Sequence, residues 1–128
     1  IDGIILTEGS AEPWGPKCLR ASTGSIFRVP SYSGLKLKDV LDLLRKSSVK
    51  VFAAASDAKN NLYKCDWSQQ SIVLAFGSEG SGFNSDESLL FEDSIRIPMN
   101  GKVESLNVSH AAAICMFEIY RQRSLILK

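Results

Sequence analysis

Apolar positions fall in short runs along the 128-residue chain, separated by polar and glycine-containing segments. "IIL" at residues 4–6 is stopped by "TEGSAEPWGP", whose glycines and prolines break regular structure, so a strand followed by a loop is predicted. Pro16 suits the first turn of a helix that runs to about Ser22 and is ended by Gly24, and "SIFRVP" at residues 25–30 reads as a second short strand. Leu37, Val40, Leu41 and Leu44 recur at helical spacing, with Lys36, Lys38, Asp39, Asp42 and Arg45 on the opposite face. "VKVFAAA" at residues 49–55 and "SIVLAFG" at 71–77 are apolar enough to be strands buried on both faces. The polar "SDAKNNLYKCDW" between them reads as a loop with at most one helical turn. Residues 85–91 suit a short helix capped by Ser85, with Asp86 and Glu87 in its first turn. "SIRIPM" at residues 94–99 is the last predicted strand. A long helix starts at Ser105, with an apolar face through Ala112, Cys115 and Ile119 and a basic end at Arg121 and Arg123. Strands alternating with helices predict an α/β fold in one domain, a mostly parallel sheet flanked by helices on both faces.

Composition narrows this only slightly. At 45% hydrophobic, 23% charged and a formal net charge of +1, the chain has the profile of an ordinary globular protein. Near neutrality argues against nucleic-acid binding by bulk charge and leaves a local basic patch as the alternative. Cys18, Cys65 and Cys115 are widely spaced and odd in number, with no Cys-x-x-Cys pair, so neither a disulfide framework nor a metal site is suggested. The expected setting is an intracellular reducing compartment, whether cytoplasm, mitochondrion or chloroplast. No apolar run approaches the roughly 18 residues that a membrane-spanning helix needs.

Chemistry concentrates in "AFGSEGSGFN", residues 75–84, where an apolar strand runs into three glycines. A phosphate loop offers backbone N–H groups and usually a lysine to an anion, and a glutamate at position 79 opposes both. Gly77, Gly80 and Gly82 do not form G-x-G-x-x-G, and Glu92 and Asp93 stand too near to be the ribose-binding acid of a dinucleotide site, so an oxidoreductase reading rests on the loop alone. Glycines also allow close backbone approach to a flat ligand, and a carboxylate tolerates a cationic one. A plain turn, with Glu79 capping or pairing locally, is the competing interpretation. A second segment, "IPMNGKVESLNVSHA", passes from a strand end through a glycine turn to Ser105 and Asn107 at a helix start. That puts two polar tips at the C-terminal ends of neighbouring strands, the edge where open α/β sheets bind ligands.

Together "FGSEGSGF" and "IRIPMNGKVESLNVSHAAAICMFEIYRQR" resemble the second and third signature motifs of the SpoU, or TrmH-type, RNA ribose 2′-O-methyltransferases of the SPOUT superfamily. "PKCLRASTGSIFRVP" is similar to the family's preceding segment, so the resemblance covers nearly the whole chain. It implies a SPOUT-type fold with a deep C-terminal trefoil knot, S-adenosylmethionine as cofactor, and methyl transfer to a ribose 2′-hydroxyl of ribosomal or transfer RNA. Gly77, Glu79 and Gly80 match the second motif's cofactor wall, and Ile97 and Met99 match the strand end whose backbone reads the adenine edge. Ser105, Leu106 and Asn107 match the third motif's cofactor contacts, Ser105 and Asn107 also its catalytic ones. A sulfonium cofactor without phosphate fits a glycine loop that carries Glu79 and lacks a lysine.

The family's first motif, with its catalytic arginine, would lie N-terminal to "DGIIL". Residues 1–128 therefore read as a methyltransferase domain truncated at its N-terminus, in which neither Arg20 nor Arg28 takes that role. A non-catalytic cofactor- or RNA-binding or dimerisation module with the same fold is the alternative. His110 is a tempting general base, yet a lone helix histidine is more often solvated or structural. Ser105 also suits an N-cap. Met116, Phe117 and Tyr120 read as core or as the interface of the homodimer that the resemblance implies, formed through the knot region and the C-terminal helix. Lys36, Lys38, Arg45 and Lys46 read as a solvated face, whereas Trp14 with Lys17 suits an unpaired nucleotide or, equally, a packed loop.

Overall fold

The computed structural model describes residues 1–68, 71–78, 80–101 and 105–126. The chain forms two compact units, Ile1–Leu43 and Leu44–Lys128.

In the first unit, strand β1 (Ile4–Thr7) pairs in parallel with β2 (Ser31–Leu35), Ile4 opposite Ser31 and Leu6 opposite Ser33. The register slips between Leu6 and Thr7, where the partner strand contains Gly34 at φ 74°. Helix α1 (Pro16–Ser22) starts on the proline and stops where Thr23 turns left-handed at φ 47°, its N–H returning to the Arg20 carbonyl. The strand expected at residues 25–30 is absent. Gly24, at φ 82°, turns the chain into a 3-10 turn at Ser25–Phe27. Pro30 has no N–H to give a ladder, but its carbonyl accepts the Ile4 N–H at 2.9 Å, so pairing begins only at Ser31. Helix α2 (Leu37–Lys46), within which the boundary between units falls, buries Val40 and Leu41 as its spacing predicts.

The second unit is built on β3 (Lys50–Ala54), β4 (Asn60–Asn61), β5 (Ile72–Phe76) and β6 (Asp93–Arg96), with short helix α3 (Ser85–Ser88) and long helix α4 (Val108–Ile126). All pairings are parallel, in the order β4-β6-β3-β5. Thus β5 and β6 are not neighbours, as the sequence reading had them; β3 lies between, with Ala53 opposite both Ala75 and Ser94. The order arises because the chain leaves β3 for the far edge at β4, crosses to the opposite edge at β5, and returns to the gap. Burial on both faces was expected of β3 and β5, yet only Ala53 of β3 is buried and β5 is half-buried throughout.

The two largest fully buried side chains come from the segment that reads as a loop. Leu62 and Trp67 are fully enclosed, at 0% and 1% exposure, with Ile95, Cys115 and Ile119 completing the cluster. Asn61 accepts the Tyr63 N–H at 2.9 Å and starts a single 3-10 turn, which delivers Leu62 inward. The Trp67 indole N–H donates to the Leu62 carbonyl at 2.9 Å, and its ring stands edge-on to Phe52 at 5.0 Å. Burial pushes the Cys115 thiol up to about 11, so it packs as a small protonated hydrophobe.

Helix α4 locks this segment from above. Gln122 accepts the Trp67 backbone N–H at 2.9 Å and donates to the Cys65 carbonyl at 3.1 Å, and Arg123 reaches the Trp67 carbonyl at 3.0 Å. Gln122 is held by the buried carboxylate of Glu118 at 2.7 Å, which Arg121 grips through two nitrogens, each at 2.8 Å. The Arg121 hydrogen bonds outweigh desolvation and, with Gln122, lower the Glu118 carboxyl to about 2. Among the described residues, no helix is long and apolar enough to cross a membrane.

We expect Trp67→Ala to lower unfolding free energy by about 3–5 kcal/mol in urea titrations, and Trp67→Phe to cost clearly less. Because folding lowers the Glu118 carboxyl, its contribution is complete above the unfolded value near 4.5 and is lost as pH falls toward about 2. The urea midpoint should therefore drop through that window, and Glu118→Gln should flatten this part of the decline.

Candidate functional site

All four strands of the second unit are parallel, so the chain leaves β5 and β6 at the same sheet edge. With β3 between them, the two exits stand roughly two strand spacings, about 10 Å, apart. Every candidate residue lies on a segment following one of these exits.

After β5, Gly77 admits no side chain: a Cβ there would meet the Gly82 carbonyl carbon at 2.3 Å and the Phe83 nitrogen at 2.5 Å. The chain doubles back on itself because Ser78 and Gly82 exchange backbone hydrogen bonds of 3.0 and 2.8 Å. Ser78 Oγ and Ser81 Oγ close the loop further at 2.7 Å. Gly80 and Gly82 take positive φ, 89° and 67°, and a Cβ at either would find nothing within 4 Å. The loop is therefore tight on its inner side at Gly77 and open on its outer side, so it can present main-chain groups to a ligand at close range. Glu79, the centre of the sequence reading, lies outside the described residues.

The loop feeds α3, whose cap is Asn84 rather than the expected Ser85. Asn84 Oδ1 accepts the Glu87 N–H at 2.9 Å while Glu87 returns a carboxylate oxygen to the Asn84 N–H at 3.0 Å. The Asn-x-x-Glu spacing of this capping box is readable in the sequence. Phe83 packs on Phe91 with ring centroids 4.7 Å apart. Arg45 fixes the far end of the segment, donating to the Leu90 carbonyl at 2.5 Å and pairing with Glu92 at 3.3 Å.

After β6, Ile97 and Met99 run half-buried past the end of the ladder, and the Ile97 side chain packs against the Trp67 cluster. Residues 102–104, which join this strand end to the third motif, also lie outside the described residues. Ser105 is exposed and Leu106 half-buried. The long helix starts at Val108, three residues later than its expected start, because Asn107 rather than Ser105 is the cap. Asn107 Oδ1 accepts the Ser109 N–H at 2.9 Å and the Ser109 hydroxyl at 2.5 Å, and its carbonyl accepts the Ala111 N–H at 3.0 Å. His110 is exposed in the first turn. Among the described residues no group of three or more His, Cys, Asp or Glu is placed to hold a metal ion.

Comparison with known proteins bears on this edge. The model of the SpoU rRNA Methylase family matches residues 1–117. The chain is 36% identical over 107 residues to the 23S rRNA (guanosine-2′-O-)-methyltransferase RlmB of Ralstonia nicotianae, covering 84% of the chain and 43% of that protein. It is 35% identical over 126 residues to RlmB of Xylella fastidiosa, covering 98% and 50%. Among solved structures it is similar to the SpoU methyltransferase AviRb from Streptomyces viridochromogenes in complex with AdoMet, with TM-score 0.85, 28% identity, and coverage of 94% and 49%. The chain thus spans about half the length of these relatives.

The loop geometry predicts unequal glycine substitutions. Gly77→Ala should destabilise the protein by about 3 kcal/mol or more, since backbone must move, against about 1–2 kcal/mol for Gly80→Ala, where only the left-handed conformation is strained. Thermal unfolding of the two variants beside wild type measures the difference.

Proposed function

The chain belongs to the SpoU rRNA methylase family, and from that premise we propose that it carries the cofactor-binding part of an RNA 2′-O-ribose methyltransferase acting on ribosomal or transfer RNA. The observation that carries the reading is the loop after β5, closed on itself at Gly77 and bare of side chains at Gly80 and Gly82. Such a surface suits S-adenosylmethionine, whose adenosine and methionine parts can be read by main-chain groups and whose positive sulfonium tolerates a carboxylate at position 79. A relative crystallised with AdoMet, under the same fold, supports the choice.

When bound, the cofactor supplies an electrophilic methyl group. The chain's own residues then serve to align and enclose. Gly77 and Gly80 form one wall, the backbone at Ile97 and Met99 faces the adenine, and Ser105, Leu106 and Asn107 complete the pocket. Transfer to a ribose hydroxyl requires in-line alignment and removal of the hydroxyl proton. The resemblance gives that last task to the first-motif arginine.

The same reading includes the C-terminal trefoil knot and a homodimer formed through the knot region and α4. Met116, Phe117 and Tyr120 support it, because they are exposed along α4 at 40%, 73% and 68%. Large apolar side chains on one helix suit a covered surface better than water. A second reading, a non-catalytic module with this fold, draws on one observation: Asn107 uses its side-chain Oδ1 to cap α4, accepting from the Ser109 N–H and hydroxyl.

Calorimetry with S-adenosylmethionine should show one site per chain, and absence of binding would sink the proposal. Glu79→Ala and Asn107→Ala should each weaken cofactor binding roughly tenfold, the scale of one lost charge-assisted or capping interaction. His110→Ala should leave cofactor binding within about twofold, and a larger loss from that substitution alone, with folding intact, would show the roles to be misassigned.

A further inference from the structure

We propose that the first unit presents an aromatic and basic platform on which an unpaired nucleotide of the RNA substrate stacks, centred on Trp14 and Phe27; the inference rests on the RNA methyltransferase reading above. The two rings meet at a centroid distance of 6.0 Å with planes tilted by 42°. The contact joins the residues just before α1 to the 3-10 turn that replaces the expected strand. Yet neither ring is enclosed by it, for Trp14 remains 49% exposed and Phe27 73%. A pair that orders two segments and still leaves both rings in solvent offers a flat apolar surface to a third ring.

The charge around it selects the partner. Residues 13–38 contain Lys17, Arg20, Arg28, Lys36 and Lys38 and no acidic residue, in a chain whose net charge is only +1. Lys17 and Arg20 stand three apart on α1 and so share a side of the helix, while Arg28 directly follows Phe27. All three are exposed. Glu12 and Asp39 flank this stretch, and Glu12 is engaged by the Trp14 backbone N–H at 3.2 Å. Stacking rings interleaved with cations are what single-stranded RNA requires, since every base has a π-face and every linkage a phosphate. A purely protein partner would explain the rings but not the five cations of residues 13–38 with no acid among them.

The test titrates the chain with a fluorescein-labelled 12-nucleotide single-stranded RNA of mixed sequence, read by anisotropy at several salt concentrations. Trp14→Leu and Phe27→Ala should each weaken binding roughly five- to 150-fold, and Trp14→Phe, which keeps a ring, should retain most of it. Neutralising Lys17, Arg20 and Arg28 together should reduce the slope of log affinity against log salt by about 2. RNA should also quench tryptophan emission in wild type but not in Trp14→Phe, because the other tryptophan, Trp67, is 1% exposed. Calorimetry with S-adenosylmethionine separates the two proposals. Cofactor binding with no RNA binding, or with RNA binding unchanged in Trp14→Leu, overturns the platform and leaves the methyltransferase reading standing. Absence of both overturns both. If Trp14→Leu alters sedimentation instead of RNA affinity, the rings belong to a protein interface and the platform is refuted.

Discussion

The contact between α4 and the Cys65–Trp67 segment organises the second unit. A polar stretch with no secondary structure of its own is made into core because Gln122 satisfies both an N–H and a carbonyl of its backbone, and Arg123 satisfies another carbonyl. Without these bonds, burying Trp67 would strand main-chain polar groups away from water, a cost that burial of the indole would have to overcome. Glu118 is the hinge pin of the arrangement. It is 7% exposed, it orients Gln122, and it is tolerated there because Arg121 meets it with two hydrogen bonds. A buried carboxylate on a helix otherwise lined by Cys115 and Ile119 is thus a structural necessity rather than a catalytic sign.

The candidate site depends on this core through short links. Ile97 packs on the Trp67 cluster and leads directly to Met99, while Cys115 and Ile119 anchor the helix whose N-terminus carries Asn107. The residues proposed to hold the cofactor are therefore placed by the strands and the helix rather than by contacts among themselves. The first unit has a different character, with its largest aromatic side chains, Trp14, Phe27 and Tyr32, all exposed. Its chemistry is that of a surface.

Apolar runs made the strands β1, β3 and β5 readable to within a residue or so and helical spacing made α2 readable, while Pro16 and Gly24 marked the ends of α1. Periodicity failed where local patterns compete. "SIFRVP" alternates like a strand, but a left-handed Gly24 and the missing N–H of Pro30 decide otherwise. The polarity of "NNLYKCDW" concealed Leu62 and Trp67, since a single 3-10 turn can deliver two large side chains to a core without any repeating pattern. At the candidate site, the motif resemblance singles out Gly77, Gly80, Ile97, Met99 and the residues before α4, whereas strand order and the partner of Gly77 required three-dimensional information. Gly77 looks flexible in sequence, yet the returning backbone at Gly82 makes it one of the least replaceable positions.

The central position of β3 gives that strand a role its plain sequence conceals. It supplies none of the residues proposed to line the pocket, yet it pairs with β5 through five residue pairs from Lys50–Ile72 to Ala54–Phe76, and with β6 through three, and so sets the gap between the two loops. Loop length after β5 or β6 can change without altering that gap, but a slip of one residue in β3 would displace both rims together. The strand is a spacer shared by two otherwise independent walls, and variation in ligand size should be accommodated in the loops while the backbone ladder of β3 holds the width.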